Sequence, residues 1–245
     1  MVYLSFILEF TIAEMIFAKS CMNQFLTLRK INLTSKMVCT ESIISHMASG
    51  PSPLVLDLTF GSGTTSGKLL SASEQIRVIG VDCDPQCADN MWRMKCDYGD
   101  RFRSYVSKWS GLPTLLQGDG ETKQCDGVLI ELGPSRTQLE DRSRGFDSSQ
   151  DGRLDLRYDG SEEGGVDAAK LIKLADVDNL RRIFKVYGGV IKSKSVAREL
   201  VERRYLMEDI RTVRHLQSIL TQLHAQVDWS SIELVVNNQL DLNQI

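Results

Sequence analysis

Apolar positions run in short, nearly unbroken stretches through the first half of the chain and at helical spacing through the second. Residues 54–58, 76–81 and 127–132 have the length and composition of strands buried on both faces of a parallel sheet, and 103–106 reads as a fourth. Between them, helical patterns cover 87–94 and 112–116, the first opening behind Pro85, a residue favoured in a first helical turn. Residues 35–47 read as a short helix leading to the turn at 49–53. Beyond Gly165 there is no proline, and helices are predicted over 166–174, 177–187, 195–205 and 212–223, with Asp176 as an N-cap and Gly188 as a C-cap. Residues 138–159 form a polar loop too long for a plain connection; the embedded Leu139, Phe146, Leu154 and Leu156 predict an ordered lid.

Alternating strands and helices predict an α/β fold, and its most informative stretch runs from Leu54 to Pro85. The first strand passes into Phe60-Gly61-Ser62-Gly63, after which Thr64, Thr65 and Ser66 offer side-chain caps for a helix carrying Lys68, Leu69 and Leu70. The next strand ends in Asp82. Glycines in such a turn let the backbone approach a ligand closely, and an acid after the second strand accepts hydrogen bonds from a ribose diol. Ligands of open parallel sheets bind at the carboxyl ends of strands, so the tips at 57–63, at Asp82 and at 131–135 are predicted to converge on one cleft, with Trp109 as an aromatic wall. That pattern says only that an adenosine-containing ligand could sit here, not which one. An NAD-dependent oxidoreductase is the rival enzyme: Gly61, Gly63, Ser66 and Asp82 loosely imitate its fingerprint, but Ser66 stands at the third glycine position and no second mononucleotide-binding half follows.

With 245 residues, 42% of them hydrophobic, the chain can bury one α/β core and a smaller second unit. A formal charge of −3 does not advertise a nucleic-acid binder, yet the charge is unevenly spread. Between Ala168 and Ser218 twelve Lys and Arg stand against six Asp and Glu, either a phosphate-facing surface or the solvated side of amphipathic helices. The six cysteines, at 21, 39, 83, 87, 96 and 125, form no CxxC pair and no ligand spacing with histidine. They read as structural thiols of a reducing compartment, and no metal is expected. Residues 1–34 look appended. Their apolar stretch at 2–18 contains Glu9 and Glu14, which argues against a membrane span, and no basic segment precedes it as in a secretory signal. Lys19, Arg29 and Lys30 among Ser and Thr faintly resemble an organelle presequence; a docking helix or a misplaced gene start are the alternatives.

The block from Asp126 to Asp159 resembles the RsmH/MraW family of small-subunit rRNA cytosine-N4 methyltransferases, especially its mitochondrial methyltransferase-like branch. It reads Asp126-Gly127-Val128-Leu129-Ile130-Glu131-Leu132-Gly133-Pro134-Ser135, then Gln138-Leu139, Arg144-Gly145-Phe146 and Asp151-Gly152-Arg153-Leu154-Asp155-Leu156-Arg157-Tyr158-Asp159. Upstream, Asp57-Leu58-Thr59-Phe60-Gly61-Ser62-Gly63 is similar to the family's D-x-T-F-G-x-G-G-H; downstream, Tyr187-Gly188 and the helix at 191–203 are similar to family segments, as are residues 235–240. The resemblance implies a Rossmann-like class I methyltransferase sheet with an α-helical substrate-recognition insert. It divides the chain into an extension at 1–34 (a candidate targeting segment), a nucleotide-binding domain at 35–160, a helical RNA-recognition insert at 161–228 and a return to the first domain at 229–245. It further implies S-adenosylmethionine as cofactor, held by Gly61, Gly63, Thr64, Thr65, Asp82, Trp109, Glu131 and Gln138, with no metal. Glu131 is the implied catalytic residue, beside the transferable methyl and accepting from the cytosine amine. Small-subunit rRNA or an assembling ribosomal subunit is the implied partner, with no membrane, in mitochondria or otherwise the cytoplasm; the oligomeric state is left open.

Several positions depart from the family pattern. Thr64-Thr65 replaces Gly-His, and a Cβ at Thr64 is expected to crowd the ligand unless that residue has a negative φ. Glu131 replaces a one-methylene-shorter Asp, and Arg153 replaces Pro. The family's later H-P-A-x-R-T-F-Q and I-S-F-H-S-L-E-D-R segments are absent, so the sheet is expected to lack its last strands and to leave an open edge. A second reading follows: a weakened or inactive relative serving as an RNA- or ribosome-binding module.

Overall fold

The computed structural model describes residues 52–119, 125–131, 133–160, 165–187, 189–206 and 209–225, the backbone of Ser5–Leu8, and Ile44 and Met47. The predicted helix at 35–47 therefore falls outside the described residues except at Ile44 and Met47, both helical, and the return segment at 229–245 falls outside them entirely. The chain divides into two compact units, Met1–Gly133 and Pro134–Ile245.

The first unit is a Rossmann-like α/β sheet of β1 (Ser5–Leu8), β2 (Leu54–Asp57), β3 (Arg77–Asp82), β4 (Phe102–Val106) and β5 (Gly127–Glu131), in the order β1-β5-β2-β3-β4. β2 pairs in parallel with both β3 and β5, and β3 with β4. Neighbouring residues of a strand face opposite ways, and the core follows that period. Val55 and Val78 join Leu69, Leu70, Met91 and Phe102 in one apolar cluster, whereas Leu56, Ile79 and Val81 join Leu112, Leu116 and Val128 in another. Helices α1 (Thr64–Ala72), α2 (Ala88–Tyr98) and α3 (Leu112–Gly118) supply the covering residues. Burial on both faces is why these strands read as continuous apolar runs.

The open edge expected beside β5 is not what the structure shows. β1 pairs with it antiparallel, Ser5 opposite Glu131 and Leu8 opposite Val128. This part of the apolar stretch at 2–18 contributes a strand where a docking helix was one expectation, because it satisfies the backbone groups along the outer side of β5.

The second unit begins with α4 (Arg136–Glu140), closed by a capping box in which Ser135 accepts from the Gln138 N–H and the Gln138 side chain accepts in return from the Ser135 N–H. After the long loop come α5 (Ala168–Leu174), α6 (Val177–Arg182), a π-helical turn at Ile183–Tyr187, α7 (Ser193–Tyr205) and α8 (Val213–Gln222). Asp176 caps α6 as expected, accepting from the Asn179 N–H; Gly188 lies outside the described residues. Phe146, Leu154 and Leu156 of the loop are buried with Leu171, Leu180, Phe184, Leu200 and Leu216 of the helices. The loop is ordered, and it shares its core with the helical unit. The structural division accordingly falls at Gly133, ahead of the boundary at 160 drawn from sequence.

Candidate functional site

Strand order brings the tips of β3, β2 and β5 side by side, and the segment after β2 ties them together. The Leu58 N–H donates to the Leu129 carbonyl and the Phe60 N–H to the Val81 carbonyl, so the chain leaving β2 is bonded to both neighbours. Beyond that point side chains take over. The Gly61 N–H donates to Asp82 Oδ2 at 2.7 Å. On the other flank, the Glu131 N–H donates to Thr59 Oγ1 at 2.8 Å, and the Thr65 hydroxyl donates to Glu131 Oε2 at 3.2 Å. One glycine turn thus holds an acid on each side, and Gly61, Gly63, Thr64, Thr65, Asp82 and Glu131 come together as predicted from sequence.

One local expectation is corrected. The hydroxyls of Thr64, Thr65 and Ser66 do not cap α1: they bond Ser62, Glu131 and Asp57, leaving Gly63 as an N-cap with no side-chain hydrogen bond. The first-turn amides of α1 therefore receive no side-chain acceptor, the arrangement that favours an anion. Packing within the chain also requires glycine at 63. Gly63 has φ +76°, and an added Cβ would lie 2.6 Å from the Phe60 ring and 2.8 Å from the Met94 methyl. Core side chains claim that space, as Phe60 also does at Gly80. Thr64 is helical with no positive φ, so its side chain is accommodated as the sequence required.

Beneath the turn lies Asp57, 1% exposed. Its Oδ2 accepts from the Ser66 hydroxyl at 2.6 Å and its Oδ1 from the Thr59 N–H at 3.1 Å. Burial pushes its pKa up to about 7, against those two hydrogen bonds and with help from the charges of Glu131 and Asp82. Asp82 is also pushed above the usual carboxylate range, chiefly by burial, while the N–H groups of Asp84 and Gly61 pull the other way. Asp57, Thr59 and Ser66 were not singled out from sequence as site residues. The available signal was a strand ending in an acid followed two residues later by a hydroxyl.

Trp109 opens a short 3-10 turn after β4, packs on the cluster of Leu56 and Ile79, and donates from Nε1 to the Leu58 carbonyl at 2.7 Å. The indole is thereby fixed to the tip of β2. Gln138 belongs to the second unit: its Oε1 accepts from the Ser135 N–H, and its Nε2 donates to the Tyr158 carbonyl at 3.0 Å. Arg144 reaches the Arg157 and Tyr158 carbonyls, and Arg157 grips Asp155 through two bonds of 2.7 Å. These charged residues of the lid form an internal network.

Among the described residues no group of three or more His, Cys, Asp or Glu is placed to hold a metal, and no helix is long and apolar enough to cross a membrane. Cys83, Cys87, Cys96 and Cys125 are not in disulfides, and burial raises the pKa of the Cys87 thiol well above its ordinary range.

A family model described as the MraW methylase family matches residues 32–232. The chain is 30% identical over 223 residues to a probable methyltransferase-like protein 15 homolog of Drosophila melanogaster, covering 83% of this chain and 62% of that one. It is 35% identical over 177 residues to the ribosomal RNA small subunit methyltransferase H of Parafrankia sp. (strain EAN1pec), covering 71% of this chain and 53% of that one. To the protein of the same name from Solidesulfovibrio magneticus it is 34% identical over 190 residues, 77% and 58% of the two chains. The chain thus spans between 53% and 62% of the length of these curated relatives. The matched residues take in the glycine turn, both flanking acids and the ordered lid, and on that match this chain belongs to the MraW methylase family.

Proposed function

We propose that this chain carries the S-adenosylmethionine-dependent methyl-transfer centre of a small-subunit rRNA methyltransferase acting on N4 of a cytidine, in mitochondria. The supporting observation is the single turn bonded to Asp82 on one flank and Glu131 on the other, in a chain of this family. The residues present fit the cofactor. The first turn of α1, uncapped by any side chain, suits a carboxylate. The Asp82 carboxylate accepts the backbone N–H groups of Gly61 and Asp84 and a hydrogen bond from the Cys87 thiol, and with about four acceptor positions it still has room for a ribose hydroxyl. Glu131 offers Oε1, which accepts no hydrogen bond from the described residues. When bound, the cofactor supplies a methyl on a sulfonium.

The chain's own part is positioning and charge. Gly61, Gly63 and the amides of Thr64 and Thr65 orient the amino-acid end, Asp82 holds the ribose, and Trp109 walls the adenine. Glu131 accepts from the cytosine amine and stabilises the positive charge that develops on it as the new bond forms. Gln138 acts through the lid it helps to order. The RNA is held by the helical unit, where exposed Lys170, Arg182, Lys185, Lys194 and Arg198 form no ion pair within the described residues. The target base is unpaired, since a stacked cytidine does not present its amine to a pocket.

The test is methyl incorporation from labelled cofactor into small-subunit rRNA. Glu131→Ala should lower the rate by about 10²-fold or more, the size of effect seen when one electrostatic partner of a transition state is removed. Incorporation that survives this change would refute the assignment of Glu131. RNA binding by the wild-type chain without any incorporation would favour the binding-module reading.

A further inference from the structure

The two site acids are held differently: Asp82 accepts from the backbone N–H groups of Gly61 and Asp84 and from the Cys87 thiol, whereas the Glu131 carboxylate accepts from the Thr65 hydroxyl. Among the described residues the Glu131 carboxylate has a single hydrogen bond, from the Thr65 hydroxyl to Oε2, while its backbone N–H is fixed by Thr59. Thr65 lies in the first turn of a nine-residue helix that starts from Gly63, whose φ of +76° and crowded Cβ position leave the turn little freedom. The next residue, Ser66, is bonded at 2.6 Å to the buried Asp57. The Thr65 hydroxyl is therefore a donor on a rigid platform, aimed at a flexible side chain with three rotatable bonds.

We infer that the Thr65 side chain is a positioning residue for Glu131: it holds Oε2 and leaves Oε1 to accept from the substrate amine. This rests on the methyl-transfer reading above and assigns Thr65 two separate tasks, its backbone N–H at the helix start for the cofactor and its hydroxyl for the acid. The two departures at 65 and 131 then make one device. A carboxylate of Glu length reaches Thr65, whereas Glu131→Asp withdraws it by one methylene. The pairing also restricts Glu131, since an acid free to rotate would meet the substrate in the right geometry only part of the time.

The experiment compares Thr65→Val, which keeps shape and removes the hydroxyl, with Thr65→Ser, which restores it. The first readout needs no activity: the side-chain carboxyl ¹³C resonance of Glu131 in the full chain, assigned through its loss in Glu131→Gln. It should move in Thr65→Val and return in Thr65→Ser; a resonance indifferent to both overturns the inference. The second readout is kinetic. Thr65→Val should lower kcat by about tenfold with cofactor Kd changed less than about twofold, Thr65→Ser should recover most of the loss, and Thr65→Val should add nothing on a Glu131→Ala background. Weakened cofactor binding with kcat intact would overturn the inference, because the hydroxyl would then serve the cofactor. Should the wild-type chain transfer no methyl, the functional reading falls on that result alone, and the resonance comparison still decides whether Thr65 holds Glu131.

Discussion

Arg157→Ala should lower the stability of the chain by about 3–5 kcal/mol, the range for breaking a buried ion pair from one side. Arg157 and Asp155 are each 7% exposed at the side chain, and two bonds of 2.7 Å join guanidinium Nε and Nη2 to the two carboxylate oxygens. The pairing holds the Arg157 pKa above its ordinary value, chiefly through the Asp155 hydrogen bond. Removing the guanidinium leaves a buried carboxylate whose one remaining ion-pair partner among the described residues is the half-exposed Arg153, at 3.7 Å. The damage extends further, because the backbone around this pair anchors the lid. The Arg157 carbonyl accepts from Arg144, and the Tyr158 carbonyl accepts from both Arg144 and Gln138. Leu156, between the two partners, is buried at φ +63°, a conformation unfavourable for leucine that the pair helps to impose. Urea unfolding measures the effect. Arg157→Lys, which keeps the charge but loses the two-pronged geometry, should fall between wild type and alanine. A loss below about 1 kcal/mol in Arg157→Ala would mean that the pair merely decorates the loop.

A second large effect concerns Asp57. Its folded pKa of about 7 stands above its ordinary value of 3.8. A carboxyl whose folded pKa is raised binds its proton more tightly in the folded chain. Its contribution to stability is therefore full below about pH 4 and disappears as the pH rises through about 7. A shift of that size corresponds to roughly 4 kcal/mol at its upper limit. Asp57→Asn is neutral at every pH, and its amide can still meet Ser66 and the Thr59 N–H. The variant should match wild type near pH 4 and exceed it by about 2–4 kcal/mol at pH 8.5. Unfolding midpoints across that range test this; parallel pH profiles for the two proteins would show that Asp57 ionises in the folded chain without difficulty.

Sequence legibility differed between the two units for physical reasons. β2, β3 and β5 were visible because burial on both faces leaves unbroken apolar runs, and their tips had to converge once the sheet was parallel. Gly61, Asp82 and Glu131 were found on that argument. Thr64, Thr65 and Ser66 were recognised as a cluster of hydroxyls, but their partners were not, since capping a helix and reaching across to Glu131 or Asp57 leave the same residues in the sequence. Asp57 itself read as part of an apolar strand, and nothing local announced that burial would raise its pKa. The lid shows the opposite case. Its apolar residues promised order, yet which unit they packed against depended on contacts with Leu171, Leu200 and Leu216, far along the chain. β1 was legible only as an apolar stretch, because short apolar runs fit a strand or a helix equally until a partner edge decides.

The central claim is that the turn between Asp82 and Glu131 holds S-adenosylmethionine. Calorimetric titration of the chain with that compound tests it most directly. The account predicts one site per chain, weakened about tenfold or more in Asp82→Asn, where the ribose loses its charged acceptor. A folded chain that takes up no S-adenosylmethionine, or an Asp82→Asn variant that binds it as tightly as wild type, would contradict it.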